Sequence, residues 1–98
     1  MESKDDILAS TVFQVPDNLT WRDVDHQTVV LNLTSGEYVT FNDVGRQIWL
    51  SVTEGKDVGQ IAKQVSEEYD ISEEQAVEDT KEFLSGLIEN HMLLVGVA

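Results

Sequence analysis

The chain changes its hydrophobic period once: roughly the first forty residues alternate at every second position, and roughly the last sixty repeat near every 3.6. A strand-rich stretch is therefore followed by helices. Because no strand alternates with a helix, a parallel α/β sheet is excluded and an α+β domain remains. Residues 11–15 (TVFQV) form a candidate strand before the Pro16-Asp17-Asn18 turn. Residues 19–24 (LTWRDV) set Leu19 and Trp21 against Thr20 and Arg22, and residues 27–33 (QTVVLNL) place Val29, Leu31 and Leu33 on one face, with Asp25-His26 as the turn between them. Thr34-Ser35-Gly36 then turns the chain into residues 37–41 (EYVTF), completing a three-stranded antiparallel meander. Residues 1–10 read as a loose arm and residues 11–98 as one domain.

Three helices follow. Asn42 is a candidate N-cap for a first helix in which Val44, Ile48 and Val52 recur with Trp49 beside them, Leu50 points the other way, and Gly55 marks the stop. Asp57 with Gln60 has the spacing of a capping box, behind which Val58, Ile61, Ala62, Val65 and Tyr69 make one stripe. Ser72 with Gln75 repeats that spacing before the longest helix, carried by Ala76, Thr80, Phe83, Leu84 and Leu87. Asn90 and His91 end it, and residues 92–95 are an apolar tail that packs as a short strand or against the core. Two short helices, a longer one and a small sheet suggest helix-turn-helix or winged-helix geometry.

Composition narrows the function classes. With 19 acidic and 6 basic residues the 98-residue chain carries a formal charge of −13, so nucleic acid and anionic membranes are disfavoured partners. The basic residues are scattered singly and supply no local patch. A 41% hydrophobic content supports a folded core despite the charge, while the size leaves little room for an internal catalytic chamber. Without cysteine there is neither disulfide nor thiolate site, and no apolar run is long enough to span a membrane. The expectation is a cytoplasmic protein.

Catalytic chemistry finds few residues to use. His26 lies in a hairpin turn and His91 at a helix end, with no visible convergent partner for acid–base work or a metal. Glu74, Glu78 and Glu82 recur at helical spacing, where a solvated face is the simpler account than a cation site. The glycines form no phosphate loop. No catalytic, cofactor-binding or metal residue is expected. The geometric signal is the strand over 37–41, which ends the meander and leads straight into a helix. An edge of this kind is either covered, by the N-terminal arm or a second copy, or used to accept an extended peptide.

The run Leu31-Asn32-Leu33, Gly36-Glu37-Tyr38-Val39-Thr40-Phe41-Asn42, Gly45 and Ile48-Trp49, followed by Gly55, Ile61, Phe83-Leu84, Leu87 and Leu93-Leu94, resembles the PqqD-like family of leader-peptide-binding proteins, the RiPP recognition elements. The resemblance covers about residues 21–95. Tyr38 and Trp49 make it look closer to the stand-alone elements of lasso-peptide biosynthesis than to the pyrroloquinoline-quinone protein itself. It implies a non-catalytic, winged-helix-like domain in which the leader of a precursor peptide adds antiparallel to the strand over 37–41 and lies against the third helix. Carried onto this chain, the peptide-binding positions are Glu37, Tyr38, Val39, Thr40 and Phe41 on the strand, with Val77, Asp79, Thr80, Lys81, Phe83, Leu84 and Leu87 on the helix.

A helical wheel centres the apolar stripe on Thr80, Leu84 and Leu87, with Asp79 and Phe83 on one margin and Val77, Lys81 and Ile88 on the other. The wheel leaves open which margin faces the strand. The resemblance also implies a processing partner, such as a leader peptidase, a cyclase or another modifying enzyme, and no cofactor. The alternative from another class is an acidic winged-helix regulator or adaptor that binds a basic protein. Residues 67–89 hold nine acids and one base, a local charge of −8, so a groove bounded by this helix should prefer leaders with basic residues beside their apolar anchors.

Overall fold

The computed structural model describes residues 7–96. The meander consists of β2 (Leu19–Val24), β3 (Gln27–Asn32) and β4 (Tyr38–Phe41), preceded by a short β1 (Phe13–Gln14). The sheet order is β2-β3-β4, with both pairings antiparallel. Asp25 and His26 take φ of 51° and 65°, the left-handed pair of a two-residue hairpin turn whose twist matches the strands it joins. In the next turn the Asn32 side-chain oxygen accepts from the amides of Thr34 (2.9 Å) and Ser35 (3.1 Å), and Gly36 supplies the positive φ of 78°.

The sheet buries the face opposite to the one its apolar alternation suggests. Val29, Leu31 and Leu33 do not supply the core; Leu33 is 61% exposed, and Thr28 and Val30 are buried instead. The helices cover only the Val30 face, and Thr28 is tolerated there because its hydroxyl donates to Asp23 Oδ1 at 3.1 Å.

Helices α1 (Asp43–Thr53), α2 (Val58–Tyr69) and α3 (Glu73–Glu89) follow in the expected order. The Asp57–Gln60 capping box is formed in both directions, at 2.8 and 3.0 Å. Ser72 accepts from the Gln75 amide at 3.1 Å, but the Gln75 side chain donates onward to Asp79 at 2.8 Å instead of closing the box. Asn42 occupies the N-cap position of α1 as expected, in extended backbone geometry, but its side chain makes no cap bond. Most of each stripe is buried, namely Ile48, Trp49 and Val52; Val58, Ile61, Ala62 and Val65; Ala76, Thr80, Leu84 and Leu87, but Tyr69, read into the second stripe, is exposed at the end of α2, and Val44 and Phe83 are half-buried. Leu50 is half-buried against the edge of the core, so it does not stand free on the back of α1.

The chain ends are tied together. Strand β5 (Leu94–Val95) pairs antiparallel with β1, Phe13 opposite Val95 and Gln14 opposite Leu94. The loose arm expected over residues 1–10 lies outside the described residues as far as position 6. From Ile7 onward the chain is docked: Ile7 is buried in the core, and the carbonyls of Ala9 and Thr11 accept from Gly59 and Val58 at 2.9 and 3.2 Å. Those two amides belong to the first turn of α2, which has no helical partners for them, so the arm completes the helix end. Among the described residues no helix is long and apolar enough to cross a membrane.

Candidate functional site

Strand β4 has β3 on one side and, among the described residues, no strand on the other. The Asn32 amide donates to the Glu37 carbonyl at 2.8 Å, and the register places Leu31 opposite Tyr38 and Val30 opposite Val39. Antiparallel pairs alternate between bonded and non-bonded positions. The main-chain groups of Val39 and Phe41 therefore face β3, while those of Tyr38 and Thr40 point to the open edge. Side chains alternate between the two faces of the sheet: Glu37, Val39 and Phe41 share the helix side with Val30, and Tyr38 and Thr40 share the outer face.

The helix side is not sealed. Val39 stands opposite buried Val30 yet is 36% exposed. Phe83 of α3 meets Phe41 edge-on, with ring centres 5.2 Å apart, and wedges the helix away from the strand. The Phe83 ring also lies over Gly45 of α1, where an added Cβ would come within 3.1 Å of it. Nearly one turn further along α3, Gly86 contributes no side chain, and a Cβ built there would meet nothing within 4 Å.

The wedge and the missing side chain leave a groove of about 660 Å³. Val30, Val39 and Phe41 floor it, Glu82, Phe83, Gly86 and Leu87 wall it, and Asn90 and Met92 lie toward its far end. Beyond Phe83 lies a recess of about 400 Å³ bounded by Thr40, Val44, Gly45, Ile48 and Asp79. Phe41 and Phe83 line both, so the two spaces form a channel beside the free edge, with α3 running opposite in direction to β4. An apolar floor of this volume next to unused backbone donors and acceptors suits an extended peptide.

The charged side chains lining the groove are Glu37 and Glu82, and Asp79 lines the recess. The resolved shifts in acidity belong elsewhere. Two hydrogen bonds from Arg46, at 2.6 and 2.8 Å, hold the Asp23 carboxyl down at about 2, and the same contact raises the guanidinium. Loss of hydration raises the Tyr69 phenol. His26 sits in the β2–β3 turn and His91 just beyond α3, and neither lines the groove. Among the described residues no group of three or more His, Cys, Asp or Glu is arranged to hold a metal ion.

Of the positions expected at the site, Glu37, Tyr38, Val39, Phe41, Phe83 and Leu87 line the groove, and Thr40 and Asp79 line the recess. The Asp79/Phe83 margin of α3 is thus the one that faces β4. Thr80 and Leu84 are placed differently: both are fully buried within the core, because α2 packs over that part of the stripe. Val77 and Lys81 line neither space, and Ile88 from the same margin borders a separate hollow near Pro16 and Leu93. Sequence reasoning missed Glu82, Gly86, Asn90 and Met92. Gly86 carried a signal, since glycine inside a helix costs about 1 kcal/mol relative to alanine and invites a reason for its presence.

The family of coenzyme PQQ synthesis protein D, PqqD, matches residues 27–93, a span that contains β3, β4 and all three helices. The chain belongs to the PqqD family. Pairwise, no curated protein is significantly similar in sequence. Two solved structures share the fold. TbiB1 in complex with the TbiA(beta) leader peptide superposes with a TM-score of 0.79 at 28% identity, covering 87% of this chain and 98% of that one. A lasso peptide synthetase B1 complexed with its leader peptide gives 0.79 at 27% identity, covering 84% and 96%. The α+β, winged-helix-like architecture is therefore that of a PqqD-type domain, and this PqqD domain keeps an open channel beside an edge strand.

Proposed function

We propose that this PqqD-family domain is a non-catalytic recognition element that captures the leader region of a ribosomally synthesised precursor peptide and presents it to a processing enzyme of lasso-peptide biosynthesis in the cytoplasm. The observation that carries this reading is the coincidence of a free strand edge with the channel under α3. It is supported by the leader-peptide complexes formed by the two similar proteins. The leader adds antiparallel to β4, bonding through the main-chain groups of Tyr38 and Thr40, and drops alternate side chains between Val39, Phe41 and Phe83. Each well-buried apolar anchor contributes roughly 1.5–3 kcal/mol. Holding the leader raises the effective concentration of the attached core peptide at a leader peptidase, cyclase or other modifying enzyme, which performs the chemistry.

The ladder geometry supplies a clean test. Thr40→Pro removes an amide that points to the open edge, whereas Val39→Pro removes one that bonds to β3. Titrating the leader of the precursor encoded beside this chain, we expect saturable binding to the wild type. Thr40→Pro should retain the wild-type circular dichroism and lose at least about tenfold in affinity, roughly 1.4 kcal/mol. Val39→Pro should lose the fold itself. Absence of saturable binding, or a folded Thr40→Pro variant that binds like wild type, would overturn strand addition.

A further inference from the structure

The channel is charged on one side of the scale only, and that carries a statement about the kind of leader it takes. This inference rests on the reading of the groove as a peptide site. The inner face of the edge strand runs from Glu37 through Val39 to Phe41, a carboxylate at one end and an aromatic ring at the other. Across the groove the helix supplies a second carboxylate, Glu82, beside Phe83. Among the described residues no basic side chain lines the groove or the recess. Among the described bases, Arg46 is held by Asp23 and Lys56 by Glu54 at 3.2 Å, while Arg22, Lys63 and Lys81 lie off the channel. Of the nine acids over residues 67–89, only Asp79 and Glu82 reach the channel, so the charge that matters is set by position and not by the net −13.

A peptide antiparallel to β4 has its N-terminal side at Phe41 and its C-terminal side at Glu37. Residues that enter the groove are two apart in sequence, about 6.6–7 Å along the strand. An anchor seated over Val39 is therefore followed, two positions later, by a side chain delivered to Glu37, while Glu82, beside Phe83, flanks the anchor from the Phe41 end. We infer that this groove selects leaders carrying Lys or Arg two residues C-terminal to an apolar anchor, with Glu37 as the specificity-determining residue facing that position and Glu82 adding negative charge beside the anchor. Both carboxylates are exposed, so the preference is a selectivity term added to anchor burial, and it weakens with salt.

The test uses the full chain and a displayed library of random twelve-residue peptides between flexible arms, selected in parallel on the wild type, on Glu37→Gln/Glu82→Gln and on Gly86→Leu. Circular dichroism checks that the variants fold. The wild type should enrich an apolar residue followed two positions later by Lys or Arg. The double glutamine variant should keep the apolar enrichment and lose the basic one. For an individual selected peptide, the double variant and replacement of its basic residue by norleucine should each weaken binding roughly two- to fivefold, the scale of an exposed ion pair, and the two changes together should do little more than either alone.

Apolar-anchored peptides without a basic preference, or a basic preference that survives in the glutamine variant, overturn this inference and leave the peptide-binding reading standing. Failure to enrich any peptide, or enrichment indifferent to Gly86→Leu, overturns both.

Discussion

Helix α3 presents two unlike sides. Toward α2 and the core, Ala76, Thr80, Leu84 and Leu87 are buried. Toward β4, Asp79, Glu82, Phe83, Gly86 and Asn90 stand around a groove that none of the described residues fills. The first side follows the usual rule that apolar residues at helical spacing pack to native density. The second breaks it in an organised way, with a large ring that holds the helix off and a glycine where a methyl group or more would fit. The contrast separates what keeps the domain folded from what it offers to a ligand, so changes on the two sides should fall on different measurements.

The largest expected effect is on the sealed side. Leu84 is fully buried, and Leu84→Ala should cost about 2–5 kcal/mol in chemical denaturation, a substantial part of the roughly 5–15 kcal/mol typical of a whole domain. Where the variant still folds, its peptide affinity should be close to wild type, since the groove walls keep their side chains. A fall in affinity without a fall in stability would place Leu84 in the groove and break the comparison.

On the open side the signs reverse. Gly86→Leu puts a side chain into empty space, and replacing a mid-helix glycine with a good helix former should hold stability level or raise it by up to about 1 kcal/mol. The same side chain fills the groove, so binding of the leader should weaken by at least about tenfold, or 1.4 kcal/mol. A stabilised variant with undiminished affinity would mean that the peptide does not occupy this space.

That separation also explains what the residues could and could not disclose. The strands, turns and helix starts were legible because local chemistry writes them: Asp25-His26 and Gly36 in turns, and the Asp57–Gln60 box. The channel's strand and the Asp79/Phe83 margin were within reach of alternation and a helical wheel. The wheel gives phase around an axis, however, and not the identity of the neighbour, so Thr80 and Leu84 shared a stripe with residues that face the ligand side. The sheet face was misjudged for a related reason. Val29, Leu31 and Leu33 look like a core face, but burial went to Thr28 and Val30, where Asp23 satisfies the hydroxyl and Trp49 packs against the cross-strand neighbours Trp21 and Phe41. The pairing of β1 with β5 joins opposite ends of the chain, and no local pattern encodes a contact of that range.

The smallest expected effect lies at the far side of the sheet, where a side-chain ion pair ties β2 to α1. Arg46 donates two bonds to Asp23 in this latch, and its guanidinium is the main cause of the depressed carboxyl, which titrates at about 2. A carboxyl whose folded value lies below its unfolded one, about 3.9, stabilises the fold above that pH, and the contribution is lost as pH falls through the folded value. Arg46→Gln should therefore raise the Asp23 titration, followed by carboxyl NMR, toward the ordinary carboxylate range, with the Thr28 hydroxyl still holding it partly down. It should also flatten the loss of stability between about pH 4 and pH 2. At neutral pH the pair is exposed, so the variant should lose little stability, and its peptide affinity should not move because the latch touches no wall of the channel. An affinity that fell with Arg46→Gln would show that the latched edge sets the position of the open one, and the two regions would then have to be treated as a single mechanical unit.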